Sequence, residues 1–150
     1  IQAKNSIVAK NHDLKAAVYE IVVSDCYGDF VSAGYNLIGN AGAFCDLSGD
    51  MAGMQYGTAG HTLDPQLGPL TLYVDNHNYY HPVLFGPVVD SGNPAGCRDY
   101  SNTLLASDQL QENPRPYAGG SAQGYTPRCD LGAIESFRIH RELFLPQLSK

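Results

Sequence analysis

The sequence has no tryptophan, only two methionines, and charged residues at just 16% of its 150 positions. A disordered, self-repelling chain is usually much richer in charge, so the low charged fraction predicts an ordered protein. The nine lysines and arginines form no basic run, and the net charge is −6, which disfavours binding to nucleic acid. No apolar stretch of about 18 residues is present, so we predict no transmembrane segment. A chain of this length is expected to form one domain.

Corner-forming residues are abundant, with 16 glycines and 9 prolines, and they make long helices improbable. Much of the remainder is valine, isoleucine, tyrosine and threonine, which favours an all-β fold. A long ordered loop is expected from Ala41 to Gly60, where glycines interrupt the β formers. The predicted strands are Ser6–Ala9, Ala16–Val23, Phe30–Val31, a brief strand within Ser32–Asn40, Leu70–Val74, Pro82–Val89 and Leu131–Ile139.

The chain is organised around Ser32–Asn40, a short apolar and aromatic run between two glycine-containing corners. An earlier segment, Asn5–Asn11, has a similar residue pattern: asparagine, a small polar residue, β-branched residues and a second asparagine. The two phrases lie about 30 residues apart, which predicts strands that stack with their corners aligned.

Four phrases in a fixed order carry a family resemblance: Asn5–Ala9 (NSIVA), Gly34–Asn40 (GYNLIGN), Asp64–Leu70 (DPQLGPL) and Cys129–Glu135 (CDLGAIE). Together they resemble the C-terminal region of bacterial surface proteins called choice-of-anchor Q domain proteins, relatives of the polymorphic outer-membrane-protein type β-helices. The likeness extends from Asn5 to Glu135. The stretch Asp75–His81 departs from the pattern, because the family usually has an Asn-Gly-Gly turn followed by a Thr-His pair there.

The resemblance implies the C-terminal rungs of a right-handed parallel β-helix that end in a long-loop cap. Residues 1–40 would form the rungs, residues 41–135 irregular loops, strands and the cap, and residues 136–150 a C-terminal tail. The family is secreted or displayed on the bacterial surface, usually without an assigned enzymatic activity. A secreted protein of this kind would carry its leader upstream of Ile1. Asp108 and Arg115 are expected to form a charge pair in the cap.

Four cysteines allow three disulfide connectivities, and four reduced core cysteines are the alternative. We favour Cys26 with Cys45 and Cys97 with Cys129, because each pair brackets an irregular, glycine-rich stretch. Closing such a loop stabilises a fold by roughly 3 to 4 kcal/mol in the loop-closure description. Zinc is disfavoured because no C-x-x-C pair is present. The disulfides would indicate an oxidising compartment, and hence a secreted or cell-surface protein.

No catalytic residue is predicted, although β-helices also include polysaccharide hydrolases and lyases. A hydrolase needs two carboxylates about 5 to 10 Å apart. Five of the six candidates lie beside glycine, asparagine or serine, where capping a turn is the ordinary role of aspartate, and Asp46 is the exception. A lyase would need a basic residue, and none lies between Lys15 and Arg98. The candidate aspartates are Asp25, Asp29, Asp46, Asp50, Asp75 and Asp90.

Local sequence patterns indicate two weak candidate binding sites. Asp46 and Asp50 flank a glycine-containing segment that could hold calcium, although ordinary solvated turn aspartates fit the pattern better. Tyr79 and Tyr80 are adjacent and could contact carbohydrate or protein, although most tyrosines are expected to cover corners and apolar stacks. His77 and His81 are interpreted as loop histidines, and no other cofactor is predicted.

The leading hypothesis is a non-enzymatic extracellular module that serves as a surface stalk, adhesin or fibre subunit. If the sequence starts within the series of β-helix coils, the strand at Ile1–Ala9 has an open edge. Upstream coils, another copy or a partner strand would cover that edge. The alternatives are a carbohydrate-active enzyme fragment and a carbohydrate-binding module.

Overall fold

A computed structural model of the protein describes residues 1–11, 24–72, 78–83, 86–110 and 128–135. These residues contain strands and no helix, which confirms the predicted all-β class. The eight strands are β1 (Gln2–Ala3), β2 (Ile7–Val8), β3 (Gly28–Ala33), β4 (Leu37–Ile38), β5 (Cys45–Asp50), β6 (Gln55–Tyr56), β7 (Leu67–Leu72) and β8 (Asn78–Pro82).

The first six strands form two parallel three-stranded sheets. The first sheet has the order β1-β3-β5, and the second has the order β2-β4-β6. The chain therefore visits the first sheet and then the second three times in succession, and we refer to β1–β2, β3–β4 and β5–β6 as passes 1, 2 and 3. The strands β7 and β8 form a separate antiparallel pair.

The stacking of passes 1 and 2 follows the repeat expected from the sequence. In the second sheet Ile7 pairs with Leu37 and Val8 with Ile38, so partners lie 30 positions apart, and in the first sheet Gln2 and Val31 lie 29 apart. Corners of the two passes are also equivalent, since Asn5 and Tyr35 both have left-handed backbones, with φ of 50° and 56°. The brief strand predicted within Ser32–Asn40 is β4 (Leu37–Ile38), and the start of the same stretch also completes β3 of the first sheet.

The prediction of a long loop over residues 41–60 is wrong, because β5 and β6 lie there. The misleading residue is Gly49, which is part of β5 and has a φ of 87°. A Cβ atom at this position would lie 2.3 Å from the carbonyl oxygen of Ser32 on the neighbouring strand. This glycine therefore marks a close approach of two backbones within a sheet.

Three further strand predictions differ from the structure. β7 begins at Leu67, three residues before the predicted strand, and Val74 lies outside the described residues. Residues 86–90 form turns, because Gly86 donates to the carbonyl of Val83 and Val89 donates to that of Gly86. The strand in this region is β8, which pairs with β7 where a polar connection was expected. The predicted strand Ala16–Val23 lies outside the described residues.

The C-terminal strand predicted from Leu131 is also absent from residues 131–135. The backbone here bonds to separate partners, because Leu131 donates to Val88 (2.8 Å) and Gly132 donates to Asn5 (3.0 Å). Gly132 has a φ of 93°, which breaks the extended backbone that a strand requires. Residues 136–139 lie outside the described range.

Two apolar clusters lie on opposite faces of the second sheet. Neighbouring residues of a strand point to opposite faces, and here Val8 and Ile38 face the first sheet, where they pack near Phe30. Ile7 and Leu37 face the other way and pack with Val88 and Leu131. The second sheet is thus covered on its far side by residues from the C-terminal half, which positions these residues next to pass 1.

We refer to residues 86–110 and 128–135 as the cap. The structure contains disulfides Cys26–Cys45 and Cys97–Cys129, the pairing that the sequence favoured. The first joins the chain before β3 to the start of β5, and the second joins two parts of the cap. The first bond links residues that are 19 positions apart in the sequence, and the second links residues that are 32 positions apart.

Candidate functional site

The outer edges of β1 and β2 are the starting point of the candidate site. Among the described residues, each of these strands pairs on one side only. The carbonyls of Ile1, Ser6 and Val8 accept hydrogen bonds from pass 2. Backbone groups alternate in direction along a strand, so those of Gln2 and Ile7 point away from pass 2. Unpaired groups of this kind form a template for a further strand.

A groove of about 860 Å³ runs along this open edge. We call it the edge groove. One wall is the segment from Gln2 to Ala9, and the opposite wall is the cap. The remaining lining comes from Leu67 of β7 and from Tyr80 and Pro82 of β8. The volume falls within the range of about 300 to 1,000 Å³ that is typical of ligand sites.

Polar contacts connect the two walls of the edge groove. The Lys4 ammonium donates to the carbonyl of Asp99 at 3.4 Å. The hydroxyl of Tyr100 donates to the side-chain oxygen of Gln2. Asn5 donates through Nδ2 to the carbonyl of Asp130, whereas its Oδ1 is buried and accepts no hydrogen bond within the described part of the chain. These contacts join pass 1 to the cap across 95 to 125 positions of the sequence.

Two exposed tyrosines line the same groove. Tyr80 is 49% exposed and Tyr100 is 66% exposed. Sequence reasoning singled out Tyr80 with its neighbour Tyr79, and the backbone of both residues belongs to β8. It did not find Tyr100, because that residue reaches the groove through contacts with Gln2, 98 positions away.

Three buried carboxylates hold the cap below the groove. An oxygen of Asp130 accepts from the backbone N–H of Asp90 at 2.7 Å. Glu135 accepts from the N–H of Asp130 at 3.1 Å, and Asp108 accepts from the N–H of Glu135 at 3.4 Å. These bonds give the carboxylates a structural role. Arg115, the predicted partner of Asp108, lies outside the described residues.

The candidate aspartates occupy separate places. Asp25 is buried and accepts from the N–H of Asn11 at 2.7 Å, while Asp50 accepts from the N–H of Ala52 at 2.9 Å in a corner. Asp29 and Asp46 are register partners on the exposed surface of the first sheet. Asp90 lies in a turn, and Asp75 is outside the described residues.

The proposed calcium ligands Asp46 and Asp50 both belong to β5. Four residues of extended strand separate their Cα atoms by about 13 Å, so the two carboxylates do not converge on one ion. Within the part of the chain that the structure describes, no group of three or more histidine, cysteine, aspartate or glutamate residues could hold a metal. His77 lies outside that part.

One exposed ion pair joins the end of pass 1 to the segment before β7. Lys10 Nζ lies 3.0 Å from a carboxylate oxygen of Asp64. The pKa of Asp64 is lowered, first by the hydrogen bond from the backbone N–H of Gln66 and then by Lys10. A lowered pKa means that this small stabilisation is present above the ordinary aspartate range and is lost as the pH falls through the lowered value.

Comparison with protein-family models, curated proteins and solved structures found no match. No helix in the described ranges is long and apolar enough to cross a membrane. The edge groove and the sequence patterns are therefore the features from which a function can be inferred.

Proposed function

We propose that this chain forms the C-terminal coils and cap of a right-handed parallel β-helix of the choice-of-anchor Q type. Its function is that of a non-enzymatic extracellular structural or adhesive module. It associates through the open edges of β1 and β2 with upstream coils, another copy or a partner strand. The single observation that carries this proposal is the edge groove, in which backbone groups of pass 1 that have no partner among the described residues face a preformed cavity.

Two features support the β-helix and its location. Three successive passes between two parallel sheets are the arrangement that a β-helix repeats along its axis. Disulfides persist in oxidising compartments, so the two bonds support an extracellular or periplasmic location. The order of the four sequence phrases supports the choice-of-anchor Q family.

Strand addition explains the particular chemistry of the edge groove. A partner segment with one strand beside Gln2 and a second strand beside Ile7 would pair their outward N–H and C=O groups, and main-chain bonds of this type provide affinity. Ile7 contributes an apolar contact at the same place, since it lines the groove and packs with Leu37, Val88 and Leu131.

Substitution Gln2→Pro tests this association. Proline has no N–H group and its ring projects towards an incoming strand, so we expect the association constant to fall about tenfold. Sedimentation equilibrium over a range of chain concentrations measures self-association. The matched control is Gln2→Ala, which keeps the N–H and should associate within about threefold of the native chain, the effect of a side chain alone.

The alternatives have distinct outcomes in that experiment. Equal association of Gln2→Pro and Gln2→Ala would contradict pairing at β1. A native chain that remains monomeric at every concentration would contradict self-association. In that case, binding of a separate peptide that spans the preceding coil would be measured by calorimetry, with the same two variants.

A second candidate function is carbohydrate binding in the edge groove, favoured by the exposure of Tyr80 and Tyr100 along one cavity. Tyrosine rings suit the mixed apolar and polar surface of a sugar. We expect the double substitution Tyr80→Ala and Tyr100→Ala to weaken glycan binding at least tenfold in a glycan array followed by calorimetry. Substitution Tyr27→Ala is the control, because Tyr27 is exposed elsewhere. Absence of any bound glycan, or equal losses in both variants, would remove this function.

A further inference from the structure

The outward face of the first sheet carries a second unusual surface, away from the edge groove. Strands β3 and β5 run in register, with Gly28 beside Cys45 and Asp29 beside Asp46. Immediately before these pairs, the rings of Tyr27 and Phe44 stack with centroids 5.8 Å apart and planes inclined by 23°. We call these four residues, Tyr27, Asp29, Phe44 and Asp46, the aromatic–acidic face.

The aromatic rings of this face contribute little to the apolar core. Tyr27 is 80% exposed and Phe44 is 46% exposed, and neither belongs to the two apolar clusters. Cys26, which precedes Tyr27, is buried, and Cys45, which follows Phe44, is half-buried against the first apolar cluster. The stack therefore displays an aromatic surface to the solvent, where a cation can approach the free ring face of Tyr27.

The two carboxylates beside the rings are also unexplained by the fold. Asp29 and Asp46 are exposed, and like charges directly opposite on neighbouring strands destabilise a sheet. Among the described residues neither carboxylate of this face forms a salt bridge, and the Ile1 ammonium donates to the backbone carbonyl of Asp29 at 2.7 Å and not to its carboxylate. A positively charged ligand would relieve their repulsion.

We propose that the aromatic–acidic face binds an arginine-bearing basic segment of a partner protein. Neighbouring strands lie about 4.8 Å apart, so the planar guanidinium can donate to both carboxylates at once. Its plane or its methylene stem then lies against Tyr27. Lysine fits this surface less well, because its ammonium is a compact, strongly hydrated charge that neither forks nor stacks. The net charge of −6 favours the approach of a basic partner.

This binding is independent of the proposed association through the edge groove. The face lies on the side-chain surface of β3 and β5, whereas strand addition uses the backbone edge of β1 and β2. Substitutions in one surface leave the other in place, so the failure of either proposal can be recognised separately.

The test uses penta-arginine and penta-lysine peptides, titrated into the whole chain at low salt and followed by amide chemical shifts. We expect penta-arginine to bind at least threefold more tightly than penta-lysine, with the largest shifts in β3 and β5. Changing Asp29→Asn and Asp46→Asn together should weaken penta-arginine binding at least tenfold. Changing Tyr27→Leu should weaken it about three- to fivefold.

A charge-matched control separates a local site from general attraction to an acidic protein. Changing Asp64→Asn and Asp50→Asn together removes the same two charges elsewhere, while the asparagine oxygens can still accept from Gln66 and Ala52. This control should weaken binding by less than threefold. Equal losses in the two double variants, or equal affinity for the two peptides, would overturn the proposal. Circular dichroism of every variant confirms that the fold is retained.

Discussion

Replacement of Asn36 by alanine is expected to lower the free energy of unfolding by about 3 to 4 kcal/mol, since buried polar groups lose their partners. Asn36 is fully buried between passes 1 and 2. Its Oδ1 accepts from the N–H of Ser6 at 2.9 Å, and its Nδ2 donates to the carbonyl of Ala3 at 3.0 Å and to Ser32 Oγ at 2.9 Å. Alanine would leave the Ser6 N–H unsatisfied and a cavity in the corner. Urea unfolding followed by circular dichroism measures the change.

A matched control for this substitution is Asn93→Ala. Asn93 also accepts a backbone hydrogen bond, from Ala95 at 2.8 Å, but this bond lies in an exposed turn within the cap. Water can replace it, so we expect a loss of at most about 1 kcal/mol. Similar unfolding midpoints for the two variants would show that Asn36 does not connect the passes in the way described.

Removal of the Cys97–Cys129 disulfide, by changing both residues to alanine, should destabilise the protein by about 4 kcal/mol in the loop-closure description. Both cysteines are buried, and their bond joins segments 32 residues apart. The backbone N–H of Gly92 donates to the carbonyl of Cys129 at 2.8 Å, so the loss should also loosen this part of the cap. Urea unfolding gives the global change, and amide exchange at Gly92 and Leu131 reports the local opening.

The corresponding change at Cys26 and Cys45 is the comparison. This bond joins residues 19 positions apart, so the same description gives a smaller loss of about 3 kcal/mol. It should leave amide exchange at Leu131 unchanged. Faster exchange at Leu131 in this variant, and not in the Cys97 and Cys129 variant, would contradict the assignment of the second bond to the cap.

Local backbone preferences made pass 2 predictable from the sequence. Gly34 and the Gly39–Asn40 pair bound a short apolar run, and β4 lies within it. The earlier phrase at Asn5–Asn11 repeats the pattern, and the pairing of Ile7 with Leu37 follows from that repeat. Each of these features depends on residues close together in the chain, for which turn and strand preferences are informative.

Pass 3 was missed because its spacing and composition differ. Val31 pairs with Ser48, only 17 residues later, so no constant repeat extends from pass 2 to pass 3. β5 has few residues that favour strands. Its glycine at position 49 suggested a loop, but it is needed because the backbone of Ser32 on β3 lies too close for a Cβ atom. Pairing with β3 therefore outweighs the local preferences of Cys45–Asp50.

The edge groove could not be located from the sequence, because its walls come from opposite ends of the chain. The open edge at Ile1–Ala9 was expected from the strand pattern. Its opposite wall depends on contacts such as Lys4 with Asp99 and Gly132 with Asn5, which span about a hundred residues or more. No local preference encodes such contacts, and Tyr100 was missed for the same reason.

Amide hydrogen exchange of the dilute chain at Gln2, Ile7 and Val8, observed by NMR, tests most directly whether the edge of pass 1 is open. The outward N–H groups of Gln2 and Ile7 should exchange at least about a hundredfold faster than that of Val8, which bonds towards pass 2. They should become protected when the edge associates. Equal protection of the three amides in the dilute, monomeric chain would contradict the account, because the edge would already be covered.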